Sequence, residues 1–233
     1  LKSWTGSATR GADALRQFAE IRAIAEDRHG AMLAERIGKG PKSQAELARV
    51  PEDRWLATFT RTVFQSGFNW RVVDAKWDGF ESAFRGFDVD ACAFMPDEWF
   101  EELAADTRII RNPAKIRSVQ ANALFLQALR DRGGAGEVIG GWPSEDFIGL
   151  LDLLKTSGSR LGGVTGQYAL RFIGRDGFIL SRDVIARLVA EGVIDKAPTS
   201  KKALRAVQDA FNTWRTQSGK SLIEISRVLA LSI

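Results

Sequence analysis

Along nearly the whole chain, apolar residues recur at intervals of three and four, and almost nothing alternates with period two. That spacing predicts an all-α protein. The first stripe, Leu15, Phe18, Ile21 and Ile24, continues through Leu33 and Ile37 until "GKGPKS" interrupts it with two glycines and a proline. Ser43 and Glu46 make a capping box, because each side chain can satisfy a backbone N–H left free in the first turn. Pro51, Pro96 and Pro113 stand where a missing donor costs least, each opening a helix. Those helices carry Trp55, Phe59 and Val63, then Trp99, Phe100 and Leu103, then Ile116, Val119 and Leu124. Trp77, Phe80, Phe84 and Phe87 form another stripe. "RGGAGEVIGGWP" reads as a glycine-rich connector into a helix bearing Phe147, Leu150, Leu151 and Leu154, and Ser221 with Glu224 caps the last helix. No solenoid period is present, so roughly ten helices are expected in one irregular globule.

With 233 residues the chain can form one compact body or two closely joined lobes. Seven Trp and fourteen Phe against a single Tyr suit large apolar surfaces between helices. Cys92 is the only cysteine, so no internal disulfide can form, and no Cys/His set exists for a structural zinc site. No run is long and apolar enough to span a bilayer, and the N-terminus lacks a signal pattern. The expectation is a cytoplasmic protein without membrane partners. The formal charge is +4 and the pI about 9.4. Lys196, Lys201, Lys202, Arg205, Arg215 and Lys220 face only Asp209, and Arg108, Arg111, Lys115 and Arg117 fall in an acid-free window. Such clusters mark either a polyanion partner or solvated helix faces.

The stretch from Arg160 to Asp183, "RLGGVTGQYALRFIGRDGFILSRD", sets Gly162, Gly163 and Gly166 just before the helical pattern Tyr168, Ala169, Phe172, Ile173. Two helices joined by a tight glycine turn result. Successive N–H groups at the start of the second helix can then converge on one anion, favoured by the helix dipole. The alternative is a hairpin whose glycines serve packing alone.

"LGGVTGQYA" resembles the helix-hairpin-helix element of the DNA glycosylase superfamily, with the usual pattern Leu-Pro-Gly-Val-Gly-x-x-Thr-Ala. Leu161, Gly163, Val164 and Ala169 match; Gly162, Thr165 and Tyr168 depart from it. A second stretch, from "FQSGFNWRVVDAKW" to "NPAKIRSVQANA", is similar to the 3-methyladenine DNA glycosylase I (Tag) family. The shared residues are Gln65, Gly67 and Trp70, then Phe84, Phe87 and Asp88, then "IIRNPAKI" and Asn122-Ala123. Together the matches span residues 62 to 187.

The resemblance implies a helix-hairpin-helix glycosylase fold of two helical lobes, 46–186 and the joined termini 1–45 and 187–233, with double-stranded DNA across the cleft. It implies a monomeric repair enzyme that flips a damaged base, alkylated for preference, and hydrolyses its glycosidic bond without a cofactor. Trp70 falls where the family lines its base pocket, with Gln65 and Asn69 close by. Thr62 stands where the family has a glutamate, which casts doubt on 3-methyladenine as substrate. Gly163, Val164, Thr165 and Gly166 would hold a DNA phosphate through backbone N–H groups. The family's zinc site, two Cys and two His, cannot form from Cys92 and His29. Asp183 lies near the superfamily's catalytic aspartate, where it would stabilise the cationic sugar; helix capping by Ser181 or Asp183 is the other reading. The rival function is a DNA-binding module that kept the hairpin and lost its pocket.

Overall fold

The computed structural model describes residues 15–233, so residues 1–14 of the expected second lobe lie outside the described residues. Those described form helices without strands. In chain order they are α1 (Phe18–His29), α2 (Leu33–Ile37), α3 (Gln44–Ala48), α4 (Glu52–Gln65), α5 (Trp70–Ala75), α6 (Trp77–Ala83) and α7 (Val89–Phe94). There follow α8 (Asp97–Ala105), α9 (Pro113–Ala128), α10 (Phe147–Ser157), α11 (Val164–Ile173), α12 (Arg182–Ala190), α13 (Lys201–Ser218) and α14 (Leu222–Leu231). None is long and apolar enough to cross a membrane.

Local chemistry sets the boundaries. Both halves of the Ser43–Glu46 capping box form at α3. Ser181, Ser200 and Ser221 cap α12, α13 and α14. Asn112 accepts from the Lys115 N–H while Pro113 supplies the first turn of α9. That helix is the spine of the region that matters for function, with α4, α7 and α8 packed against it and α11 lying on α4. Its buried face is Ile116, Val119, Ala123 and Leu126. Leu124 falls off that face and is 51% exposed, a correction to the expected core stripe.

The aromatic stripe beginning at Trp77 is not one helix. α6 ends at Ala83, and Arg85, Gly86 and Phe87 all take left-handed backbone angles (φ 54°, 68° and 61°). This turn folds Phe87 back onto Trp77, so Trp77–Phe80, Phe80–Phe84, Phe84–Phe87 and Phe87–Trp77 form a ring of offset stacks with interplanar angles of 11–16°. Each such pair contributes about 0.5–1.5 kcal/mol beyond area burial, which offsets the strain of left-handed Arg85 and Phe87. Arg54 of α4 holds the turn, donating to the Gly86 carbonyl at 2.9 Å and to both oxygens of Glu81. That pairing lowers the Glu81 pKa.

The glycine-rich connector is structured. Gly136–Gly140 makes a π-helical turn against α3, where a Cβ on Gly136 would stand 2.7 Å from the Ala48 Cα. The buried Arg175 gathers this segment by donating to the carbonyls of Ile139, Trp142 and Asp176 and to the Ser144 hydroxyl. Burial lowers its pKa.

At the other end of the sequence α14 packs on α1, α12 and α13. His29 bonds the Leu231 carbonyl at 3.0 Å and so joins α1 to the C-terminal helix. Asp176 accepts from the N–H groups of Leu222 and Ile223, assisting Ser221 at the start of α14.

Asn122, fully buried on α9, joins the spine to the turn after α10. Its amide donates to the Ser159 carbonyl (3.1 Å) and accepts from the Ser159 N–H (2.7 Å). Asn122→Ala leaves both Ser159 groups unpaired and a void behind. A loss on the order of 2–3 kcal/mol is expected by urea denaturation, and a loss under about 0.5 kcal/mol would show that the clamp is dispensable.

Candidate functional site

Two segments far apart in sequence meet in a cavity of about 590 Å³. Thr62 and Gln65 from the end of α4 and the loop 66–70 form one side; Val164, Thr165 and Tyr168 from the first turns of α11 form the other. All four residues expected in a base pocket, Thr62, Gln65, Asn69 and Trp70, line it, as do two of the four expected to bind phosphate.

The loop is held from beneath by Lys115, which donates to the carbonyls of Phe64 (3.1 Å) and Ser66 (2.8 Å). A cation at these carbonyls complements the C-terminal end of the α4 dipole. Burial, with the charge of Arg160 beside it, lowers the Lys115 pKa. Lys115 and Asn122 sit two turns apart on α9 and so reach out from one face. One grips the loop, the other the approach to the hairpin. From the rim, the Thr165 hydroxyl reaches Ser66 Oγ at 3.3 Å.

Trp70 opens α5 and is 41% exposed. Tyr168 and Phe172, one turn apart on α11, meet it nearly at right angles, with centroids 5.3 and 5.7 Å away. The two contacts fix the indole while leaving surface for a flat ligand to stack upon. Asn69 spends its carbonyl oxygen capping α5 through the Arg71 N–H. Phe68, 46% exposed, is an apolar side chain at the cavity that the sequence reading passed over.

Polar groups on the α4 side are constrained. The buried Thr62 hydroxyl lies within bonding distance of the Thr58 and Phe59 carbonyls, so its proton is committed to its own helix and it can only accept. Gln65 is 4% exposed and donates through Nε2 to Asp74 Oδ1 at 3.0 Å; its Oε1 is buried without a partner. Arg61 neutralises the same carboxylate oxygen through Nε (3.0 Å) and Nη2 (2.7 Å).

At the hairpin, Gly163 precedes α11 with φ +60°, and no side chain caps this helix. The N–H groups of its first turn are therefore free of a side-chain cap. Gly163 stands before the cavity wall rather than in it, and Gly166 is buried where a Cβ would lie 2.2 Å from the Leu161 carbonyl oxygen. Asp183 is exposed in the first turn of α12 and does not line the cavity; Ser181 supplies the cap there.

Much of the apparent positive charge is spent. Arg108 pairs with Asp106, and Arg117 with Asp97 while covering the Phe100 ring. Arg215 pairs with Glu145 and Lys220 with Glu224. The zinc site implied by the resemblance does not fit: among the described residues no cluster of His, Cys, Asp or Glu could hold a metal ion. Cys92 is buried with its sulfur at the Phe84 carbonyl, and desolvation, with the Asp88 charge nearby, pushes the thiol up to about 12.

The fold is that of the helix-hairpin-helix DNA glycosylases. The structure of a Methanocaldococcus jannaschii 8-oxoguanine glycosylase/lyase in complex with a 15mer DNA containing 8-oxoguanine matches 91% of this chain and 95% of its own, with a TM-score of 0.50 at 14% identity. Within that class the resemblance to methyladenine glycosylases holds, for the methyladenine glycosylase family model matches residues 50–138. A crystal structure of 3-methyladenine DNA glycosylase I (TAG) matches 58% of this chain and 80% of its own at 22% identity, with a TM-score of 0.46.

Two of the three hairpin glycines differ in what they tolerate. Gly166→Ala drives a methyl into the Leu161 carbonyl and is expected to cost about 1–3 kcal/mol. Gly162→Ala meets only the flexible Lys155 side chain at 3.4 Å and should stay within about 0.5 kcal/mol of the parent. Paired thermal denaturation checks the contrast; equal effects would mean that the close approach at Gly166 does not constrain the hairpin.

Proposed function

We propose that this protein is a DNA repair glycosylase that flips a damaged base out of duplex DNA and hydrolyses its N-glycosidic bond. The observation that carries the reading is the meeting of Trp70, held edge-on by Tyr168 and Phe172, with the uncapped start of α11 in one cavity. An extruded base needs an aromatic face, and its flanking phosphate needs converging donors. In this reading the N–H groups from Gly163 to Gly166 hold a backbone phosphate and Trp70 stacks on the base. Phe68 enters the space the base leaves, as apolar side chains do in unstacked duplexes. The DNA crosses between the lobe 46–186 and the lobe formed by the termini.

Asp183 is assigned to the cationic sugar that develops as the bond breaks. Ser181 caps α12, so Asp183 is free of that duty, and the DNA itself must bring the sugar to a carboxylate outside the cavity.

Duplexes carrying single defined lesions, incubated with the protein and examined for free base by chromatography, test the function. Release of at least one lesion is expected, with Trp70→Ala cutting the rate tenfold or more, since base stacking contributes about 1–3 kcal/mol. Asp183→Asn should lower the single-turnover rate about a hundredfold or more without shifting the melting temperature. Full activity would remove Asp183 from the mechanism.

The second reading, a DNA-binding module without chemistry, is favoured by Thr62, whose hydroxyl proton is tied to the helix backbone where the family carries a glutamate. No released base, together with duplex affinity that falls as salt rises, would establish it. Salt-independent binding would exclude phosphate contact in either reading.

A further inference from the structure

Resting on the glycosylase reading above, we infer that the cavity selects an uncharged lesion base that presents a ring N–H to the amide oxygen of Gln65.

The orientation of that amide is determined. A carboxylate can only accept, so the Gln65 nitrogen must face Asp74 Oδ1, where it lies at 3.0 Å. The oxygen therefore points away from Asp74, is buried, and has no partner among the described residues. An amide oxygen in this state is costly, and a water or a ligand donor that completes it recovers that cost. Gln65 lines the cavity, and a ligand N–H arriving there would complete it. Thr62, whose hydroxyl proton is spent on the carbonyls of Thr58 and Phe59, offers a second acceptor on the same wall. The α4 side of the cavity thus asks for donors.

Charge decides between a neutral and a cationic donor. No lining residue is a carboxylate. Among the described residues, Asp74, whose carboxylate bonds Gln65 of the wall, is matched by the Arg61 guanidinium through Nε and Nη2. A further cation, Lys115, sits on the carbonyl of Ser66 at 2.8 Å. A positively charged base would enter surroundings of net positive sign with no counter-charge, and would surrender its hydration to do so. A neutral purine with a ring N–H loses far less and gains the bond to Gln65. Stacking on Trp70 is open to either. Hypoxanthine, neutral and bearing a ring N–H, has the chemistry the wall requires; 7-methylguanine in DNA carries the positive charge it lacks a partner for.

The test titrates the full chain with inosine and, below neutral pH, with cationic 7-methylguanosine, following tryptophan fluorescence. In parallel, duplexes bearing one hypoxanthine or one 7-methylguanine are assayed for free base. Inosine is expected to bind about tenfold or more tightly, because the cation would surrender its hydration to a wall without a counter-charge. Gln65→Leu should weaken inosine binding about tenfold, the worth of one buried hydrogen bond, and Thr62→Glu, which adds a carboxylate to the wall, should reverse the preference for the neutral ligand, with melting curves verifying that both variants fold. Equal or tighter binding of the cation by the parent protein, no detectable binding of inosine, or an unchanged inosine affinity in a folded Gln65→Leu would overturn the inference. Preferential release of 7-methylguanine would also overturn it while leaving the glycosylase reading intact. Release from neither duplex with the inosine preference retained would count against the glycosylase reading and support the pocket assignment.

Discussion

Everything at the cavity depends on how α9 grips its neighbours. Asn122 exchanges two hydrogen bonds with the Ser159 backbone, and two turns earlier Lys115 takes the carbonyls of Phe64 and Ser66. The turn leading into the hairpin and the loop carrying Trp70 are thereby referred to one rigid helix. Neither has regular structure of its own, and a loop without such anchors would let the two walls of the cavity drift. Side chains on a helix are spaced by its pitch, so two grips on one face set the separation of two loops with a precision that loops alone cannot reach. The hairpin then supplies Tyr168 and Phe172 to hold Trp70, closing the circuit from α9 through both loops and back.

A second consequence concerns charge. A segment such as Arg108 to Arg117 is acid-free when read along the chain, yet in space Asp106 and Asp97 answer two of its cations and backbone carbonyls answer a third. What remains beside the cavity is a balance struck by Arg61, Asp74 and Lys115. A site with no carboxylate of its own in the wall is suited to a neutral guest, and its cationic flank to a phosphate outside.

The two ends of the described chain are joined by ordinary contacts. His29 joins α1 to the Leu231 carbonyl, and α14 packs on α1, α12 and α13. Arg175, buried among carbonyls, organises a connector whose glycines would by themselves suggest slack. The bonds of His29 to Leu231 and of Arg175 to Ile139 and Trp142 are long-range bonds to backbone oxygen, and backbone oxygen leaves no mark in a sequence.

What the sequence by itself determined is whatever acts over a few residues. Helix class, the capping box at Ser43 and Glu46, the proline starts and the glycine turn before α11 were legible, because period, caps and turns are local physics; Thr62, Gln65, Asn69 and Trp70 were singled out by the family resemblance. Tertiary structure alone decided that Phe87 folds back onto Trp77 through a left-handed turn held by Arg54, and that Leu124 leaves the core. Only the fold set Tyr168 and Phe172 against Trp70, kept Asp183 outside the cavity and left the Gln65 oxygen unpaired. Each of these turns on which atom lies opposite another across a gap between distant segments, a quantity that depends on helix crossing and register and that no window of sequence contains.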